Sequence, residues 1–313
     1  MREVLIVAPT SDLHAQAVAA ALRNRSQEFE WLDLGDLGRD VDLTVQLNGT
    51  VDVGFRIAER RVCLTESSTV WWRRPKLPDI QVSLPDATTA AFVRDEWQQL
   101  IGCIEAASFS RWVNLPSAAR VANHKSMQLA AAATVGLRIP RTVITNSVSD
   151  VRPLLEEGLP LIYKHLGGVP RPITATRALR AEDVSRLDVL HNCPAIFQEK
   201  IDAQLDIRVT AIGASLHTAE IHSQVGGSPL DWRFDHSVPF KRHTLDAGVG
   251  RRLQKLMRML NLEYAAIDLR LTPQGEYVFL EVNPYGQYLF VELLAGIPLS
   301  ECMSDFLTAD ATS

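Results

Sequence analysis

Residues 4–8 (VLIVA) form a short, nearly all-apolar run that breaks at Pro9, as expected of a strand buried in a parallel sheet. Residues 14–22 then read as a helix and 28–32 as a second strand. This β-α-β opening predicts an open α/β domain at the N-terminus. Residues 43–47 and 61–64 read as edge or hairpin strands around a glycine-containing loop, and 90–109 as one long helix bracketed by Pro85 and by residues 112–116. A second unit begins near Leu115: an alanine-rich helix over 125–135 closed by Gly136, then strands over 141–145, 161–165 and 195–200. The loop LGGVPRP and a helix over 181–190 lie between the last two strands.

Beyond residue 200 the pattern changes. Residues 206–212 and 215–221 read as neighbouring strands around Gly213, and 250–261 as a helix with basic residues on its polar side. Residues 264–271 and 277–282 predict a hairpin across TPQG, where Gly275 suits the turn. The last predicted helix, 289–295, is closed by Gly296 and Pro298. No internal repeat or low-complexity segment interrupts the series. A chain of 313 residues holds two or three such units, and the pattern divides it at 1–115, 116–197 and 198–313.

Composition narrows the class. Apolar residues are 46% and charged residues 22%, and the net charge of -5 gives no basic footprint for nucleic acid or a membrane surface. No apolar run approaches the roughly 18 residues that span a bilayer, and the opening residues are too polar for a signal peptide. The four cysteines, Cys63, Cys103, Cys193 and Cys302, are scattered without a CxxC pair, which fits a reducing, cytoplasmic setting.

The stretch FLEVNPYGQ, residues 279–287, ends a strand on Glu281 and Asn283 before Pro284 breaks it. Alternation along a strand puts these two side chains on one face, and the hairpin brings Asp268 of YAAIDLR beside them. Three oxygen-bearing side chains at one strand end suit a hard cation such as Mg2+; a plain strand edge is the other reading. Lys164, on the apolar strand LIYKHL, precedes Gly167 and Gly168. It either meets an anion or snorkels from the strand end. The loop is not a Walker A loop, because no GKS or GKT follows. In FQEKI, Gln198 and Glu199 could read an adenine edge and ribose hydroxyls, and Arg208 in DIRVTAIG could face phosphates; a half-exposed sheet gives the same alternation. WWRRP at 71–75 reads as a carboxylate-recognising surface through Arg73 and Arg74, or as one core tryptophan with two solvated arginines. DWRFD at 231–235 adds Arg233 as a second anion-facing candidate. The histidines form no metal set, and no GxSxG elbow supplies a serine nucleophile.

The order NHKSMQLAAAATVGLRIPRTVIT, LIYKHLGG, FQEKI, DIRVTAIG, YAAIDLR, FLEVNP resembles the ATP-grasp superfamily, from about Leu115 to Pro298. The resemblance implies an ATP-grasp fold: an N-terminal open α/β (pre-ATP-grasp) domain, a central α/β domain and a C-terminal antiparallel-sheet α+β domain. It implies ATP and Mg2+ as cofactors. Lys125 and Lys164 then look like nucleotide-contacting lysines, and Gln198, Glu199 and Ile201 like the adenine hinge. Asp206 would assist at the ribose, Arg208 at the phosphates, and Asp268, Glu281 and Asn283 would hold the metal.

WWRRP, DWR and EVNPYGQYLFVE narrow the resemblance to the ATP-grasp peptide maturases, which form side-chain esters or amides in ribosomally made peptides. That type activates an Asp or Glu side chain as an acyl-phosphate and joins it to Ser, Thr or Lys. Arg208 and Arg233 would stabilise charge at the transferred phosphoryl, and Arg73 and Arg74 would contact the substrate carboxylate or wall its site. The implied partner is a precursor peptide with a leader segment, docking on the middle unit near 181–190, where Arg171, Arg177, Arg180 and Arg186 could attract an acidic leader or simply be solvated. A homodimer would also suit the family. Two alternatives stay open: an ATP-grasp ligase for small amino acids or amines, and a non-catalytic peptide-binding protein of the same fold.

Overall fold

The computed structural model describes residues 2–57, 59–76, 78, 86–167 and 176–310. Pro85, Gly168 and Arg171, named above, lie outside the described residues. The strand Glu3–Val7 is the second of four parallel strands, with Phe29–Leu32 on one side and Ser68–Trp72 then Arg111–Val113 on the other. Between the second and third of these in sequence sits an antiparallel meander, Val41–Leu47, Val51–Ile57 and Arg60–Cys63. Its middle strand went unread because Gly54 interrupts the apolar pattern; a side chain there would crowd Arg61 and Cys63 of the neighbouring strand.

The strand Ser68–Trp72 corrects the surface reading of WWRRP. It is fully enclosed in the parallel sheet, and Trp71, Trp72 and Arg73 are 1%, 7% and 1% exposed. The expected helix over 90–109 begins earlier, where Asp86 caps Ala87–Gly102, and tightens to a 3-10 turn at Cys103–Ala106. The expected helix over 181–190 is likewise broken, into Ala181–Val184 and a 3-10 turn at Leu187–His191.

A second sheet orders Arg177–Ala178, Leu161–Lys164, Ala195–Glu199 and Thr142–Thr145, all antiparallel, over a small core that includes Val151, Leu154 and Phe197. The largest sheet orders Phe240–Arg242, Ser215–Ile221, Leu205–Ile212, Tyr264–Leu271 and Tyr277–Asn283. Alternation gives it two different faces. Ile207, Val209, Ala211, Ile267 and Leu269 pack against the helices Lys125–Thr134 and Ala247–Met259. The opposite face carries Asp206, Arg208, Asp268 and Arg270, cross-strand partners as Asp206↔Arg270 and Arg208↔Asp268.

The chain does not end at the helix Leu289–Ala295. A further helix, Leu299–Thr308, returns to the parallel sheet and buries Leu299, Met303 and Leu307 with Ile6, Ala15, Leu22 and Trp71. Among the described residues no helix is long and apolar enough to cross a membrane.

Candidate nucleotide and metal site

The hairpin 264–283 does not pair regularly. Asp268 faces Glu281, but Leu269 faces Phe279, so Leu280 is an extra residue in a β-bulge. Two-residue alternation would put Phe279 and Glu281 on the same face. The bulge instead sends both Phe279 and Val282 into the core while Glu281 and Asn283 join Asp268 on the other side. Gln128 fixes this edge strand. Its buried amide accepts from Val282 N at 3.1 Å and donates to Val282 O at 2.8 Å, as a neighbouring strand would. Lys125 sits one helical turn earlier on the same helix and donates to Glu281 Oε2 at 2.5 Å. Asn283 Nδ2 donates to the other oxygen of Glu281 at 2.9 Å.

Arg208 donates to Asp268 Oδ2 at 2.7 Å and to Gln287 O at 2.8 Å, with its guanidinium 5.7 Å from the Trp232 ring and 5.8 Å from the Phe290 ring. On the second sheet Lys164 Nζ donates to Gln198 Oε1 at 2.9 Å, and Gln198 Nε2 donates to Thr142 Oγ1 at 2.9 Å. Arg233 makes a two-pronged contact with Asp231, at 2.7 and 2.6 Å.

These groups border a cavity of about 420 Å3 between the second and the largest sheets. That volume is within the range of ligand pockets. Lys125, Lys164, Gln198, Glu199 and Ile201 line it, as do Asp206, Arg233, Asp268, Glu281 and Asn283. The chain thus gathers in one cavity ten residues that sequence separates by up to 158 positions (283 − 125). Arg208, Arg73 and Arg74 are not among the described lining residues. Arg208 lies one layer back, against Asp268. Arg73 instead donates to Tyr285 O at 2.7 Å and Gly286 O at 2.9 Å. Arg74 is exposed beside it, with a positive φ of 46°.

Two placements differ in detail from a simple ligand role. Both oxygens of Asp206 are occupied, by Arg270 Nε at 3.0 Å and Ser223 Oγ at 2.5 Å, so its carboxylate braces the cavity wall. Glu199 turns toward Arg141 N at 3.1 Å, leaving its neighbour Gln198 to face Lys164. Of the basic residues considered for a leader, Arg180 is paired with Glu182, while Arg177 and Arg186 are exposed.

The electrostatics are those of a site built for charge. Burial pushes the Asp268 carboxyl up, the nearby Glu281 carboxylate adds to the push and Arg208 opposes it, with a net rise to about 6. Burial pushes Glu281 up too, but Lys125, Lys164 and the hydrogen bonds from Lys125 and Asn283 together outweigh it and hold it below the carboxylate range. Burial lowers Lys164, and Lys125 and Arg233 add to that against Glu281 and Asp268. Asp268 Oδ1 is buried with no hydrogen-bond partner among the described residues. A lone oxygen of this kind beside Glu281 and Asn283 is the donor set a hard divalent cation takes.

The chain matches no protein-family model and no curated protein. It does match solved structures. A macrocyclase from Microcystis aeruginosa MRC, MdnC, bound with precursor peptide MdnA, is 27% identical, with a TM-score of 0.86 over 98% of this chain and 100% of that one. A second macrocyclase of that organism, MdnB, is 27% identical with a TM-score of 0.81, over 99% of this chain and 100% of that one. The chain has the ATP-grasp fold of these peptide macrocyclases.

A RiPP-associated ATP-grasp ligase from Chryseobacterium gregarium, in complex with ADP and a leader and core peptide, has the same fold. It is 23% identical, with a TM-score of 0.87 over 98% of this chain and 96% of that one. In this ATP-grasp chain the sequence reading missed Gln128, Asn114, Thr142 and Trp232. Gln128 was legible in principle, because KSMQ sets it one turn after Lys125 on the same helix face. Asn114 carries no local signal. It bridges Tyr264 O and Pro284 O, at 2.8 and 3.1 Å, across 150 and 170 residues of sequence.

Proposed function

We propose that the protein is an ATP-dependent ligase that activates Asp or Glu side chains of a ribosomally made precursor peptide as acyl-phosphates. It then joins them to Ser or Thr side chains as esters, or to Lys side chains as amides. The observation that carries this reading is the convergence of Lys125, Lys164 and Arg233 with Asp268, Glu281 and Asn283 around one cavity. The likeness to a macrocyclase bound with its precursor peptide supplies the substrate class. We take the units 1–115, 116–197 and 198–313 as the working division of the chain. The four cysteines are free, which supports a reducing cytoplasm as the place of action.

A free carboxylate is a poor acyl donor, and phosphorylation gives it a leaving group. Lys125 and Lys164 would hold the phosphate oxygens of ATP, and Gln198 with the backbone near Ile201 would border the adenine. Arg233, held by Asp231, would oppose charge on the transferred phosphoryl. Arg208 orients Asp268. Asp268, Glu281 and Asn283 would hold Mg2+, whose bound charge offsets the phosphates. Trp232 and Leu280 line the cavity and limit water that would hydrolyse the acyl-phosphate.

The test is intact mass after incubation with ATP, Mg2+ and the precursor peptide encoded nearest the gene. Loss of one water per bond is expected, with none in Glu281→Gln. An unchanged peptide with ADP release stimulated by small amino acids or amines would replace this reading with a small-molecule ligase.

A further inference from the structure

In open α/β sheets ligands sit at the carboxyl ends of the strands, where the strand order reverses. In the parallel sheet that point lies between Glu3–Val7 and Ser68–Trp72. It is filled by the chain's own loop, residues 284–288. Arg73, immediately after Ser68–Trp72, donates through Nη1 to both Tyr285 O and Gly286 O. Asn114, after Arg111–Val113, holds Pro284 O, and His14 Nδ1 accepts from Tyr288 N at 3.4 Å. Gly286 O receives a second donor, Tyr264 Oη at 2.6 Å. The loop lies flat on the large sheet, since a Cβ on Gly286 would overlap Ala266.

This loop joins two parts of the metal site. Asn283 precedes it directly, and Gln287 O accepts from Arg208, whose other arm holds Asp268. Arg73 therefore touches no nucleotide-site residue, yet the loop it grips leads on one side to Asn283 and on the other, through Arg208, to Asp268. Its burial favours a specific role. Nε and Nη2 have no hydrogen-bond partner among the described residues, and the nearest carboxylate, Asp12, is 3.5 Å from Nε. A buried, partly satisfied guanidinium is a poor device for stability, which an apolar side chain would serve as well or better.

We propose that Arg73 is a positioning residue: through the carbonyls of Tyr285 and Gly286 it sets the metal ligands Asn283 and Asp268 from a different domain. This rests on the metal site assigned above. Both bonds come from Nη1, one bond beyond the point where a lysine side chain ends, so a lysine does not reproduce them.

The experiment is a titration of the protein–ADP complex with Mn2+, free metal being read by its electron paramagnetic resonance signal. Arg73→Lys should weaken Mn2+ binding about ten-fold or more, the usual range for groups that orient metal ligands. ADP affinity without metal should stay within about two-fold, because the residues bordering the nucleotide are untouched. Tyr264→Phe keeps the buried ring and removes only the second donor to Gly286 O; it should weaken Mn2+ binding in the same direction, which guards against misfolding of the arginine variant. Equal Mn2+ affinity in the wild type and both variants, with only the melting temperature lowered, would overturn the proposal and leave Arg73 as a packing residue. A wild type that binds ADP but no Mn2+ would remove the metal-site reading itself, and this proposal with it.

Discussion

At the scale of single residues, the groups that matter are held by opposing forces that a sequence does not display. His14 is an example. Burial lowers its pKa to about 4, Arg73 adds to the shift, Asp12 opposes it, and Arg74 and Arg208 lower it further. The unfolded chain would protonate near 6.5, so between that pH and about 4 the unfolded state binds the extra proton. Stability from this site is complete above about 6.5 and lost as pH falls toward about 4. Urea titrations across this range should show a wild-type loss of about 3 kcal/mol in excess of His14→Asn, which keeps an acceptor near Nδ1 but does not titrate. An identical pH slope in the two proteins would show that the imidazole is not held neutral. That Lys125, Lys164, Glu281 and Asn283 share one cavity was legible from their residue types and their order along strands and a helix start. The fates of Asp206 and Arg73 were not. Their partners, Arg270 with Ser223 and the 285–286 carbonyls, come from remote segments, and no local pattern marks the pairing.

At the scale of elements, alternation and apolar runs located most strands, the doubly buried Glu3–Val7 among them, and missed Ser68–Trp72. Residues 264–271 and 277–283 alternate visibly, so the hairpin and its shared acidic face could be anticipated. Ser68–Trp72 is buried at every position and ends in two arginines, so it read as surface. The bulge at Leu280 was equally hidden, because an extra residue in a strand shows only against its partner. Gln128 is the element-level counterpart of the bulge: a side-chain amide in place of a missing strand. Gln128→Met has similar volume but leaves Val282 N–H and C=O buried without it. It should destabilise the fold by about 2–3 kcal/mol and lower ATP turnover beyond the unfolded fraction. Thermal melts alongside ADP release would check this; unaltered turnover per folded molecule would mean that the edge strand keeps its place unaided.

At the scale of the whole molecule, order along the sequence is not the order of packing. The helix Leu299–Thr308 follows Asp268, Glu281 and Asn283 in the chain but completes the core of the first sheet. It escaped the sequence reading because Gly296 and Pro298 looked like a terminus, and here they mark a turn between two helices. Leu307 is fully buried, and Leu307→Ala should cost about 2–5 kcal/mol, as core truncations do. The loss should appear in one cooperative melt if the parallel sheet and the large sheet unfold together through Trp71, Tyr264 and Tyr288. Two separate transitions in calorimetry would contradict that coupling.

Lys125 is paired with Glu281 and Arg208 with Asp268, so opposite charges at the cavity hold one another. An ammonium that holds a carboxylate is not free for a phosphate, and a carboxylate that holds an ammonium is not free for a cation. Magnesium held at Glu281 would release Lys125, and a phosphate drawing Lys125 away would expose Glu281. Each ligand would thus remove the competitor of the other. Their affinities are thermodynamically linked by one and the same coupling energy, whichever binds first. In the Mn2+ titration this appears as tighter metal binding to the wild type with ADP than without it. The protein would then commit its charges only when metal and nucleotide are present together, a two-key requirement that suits an enzyme whose activated product water can destroy.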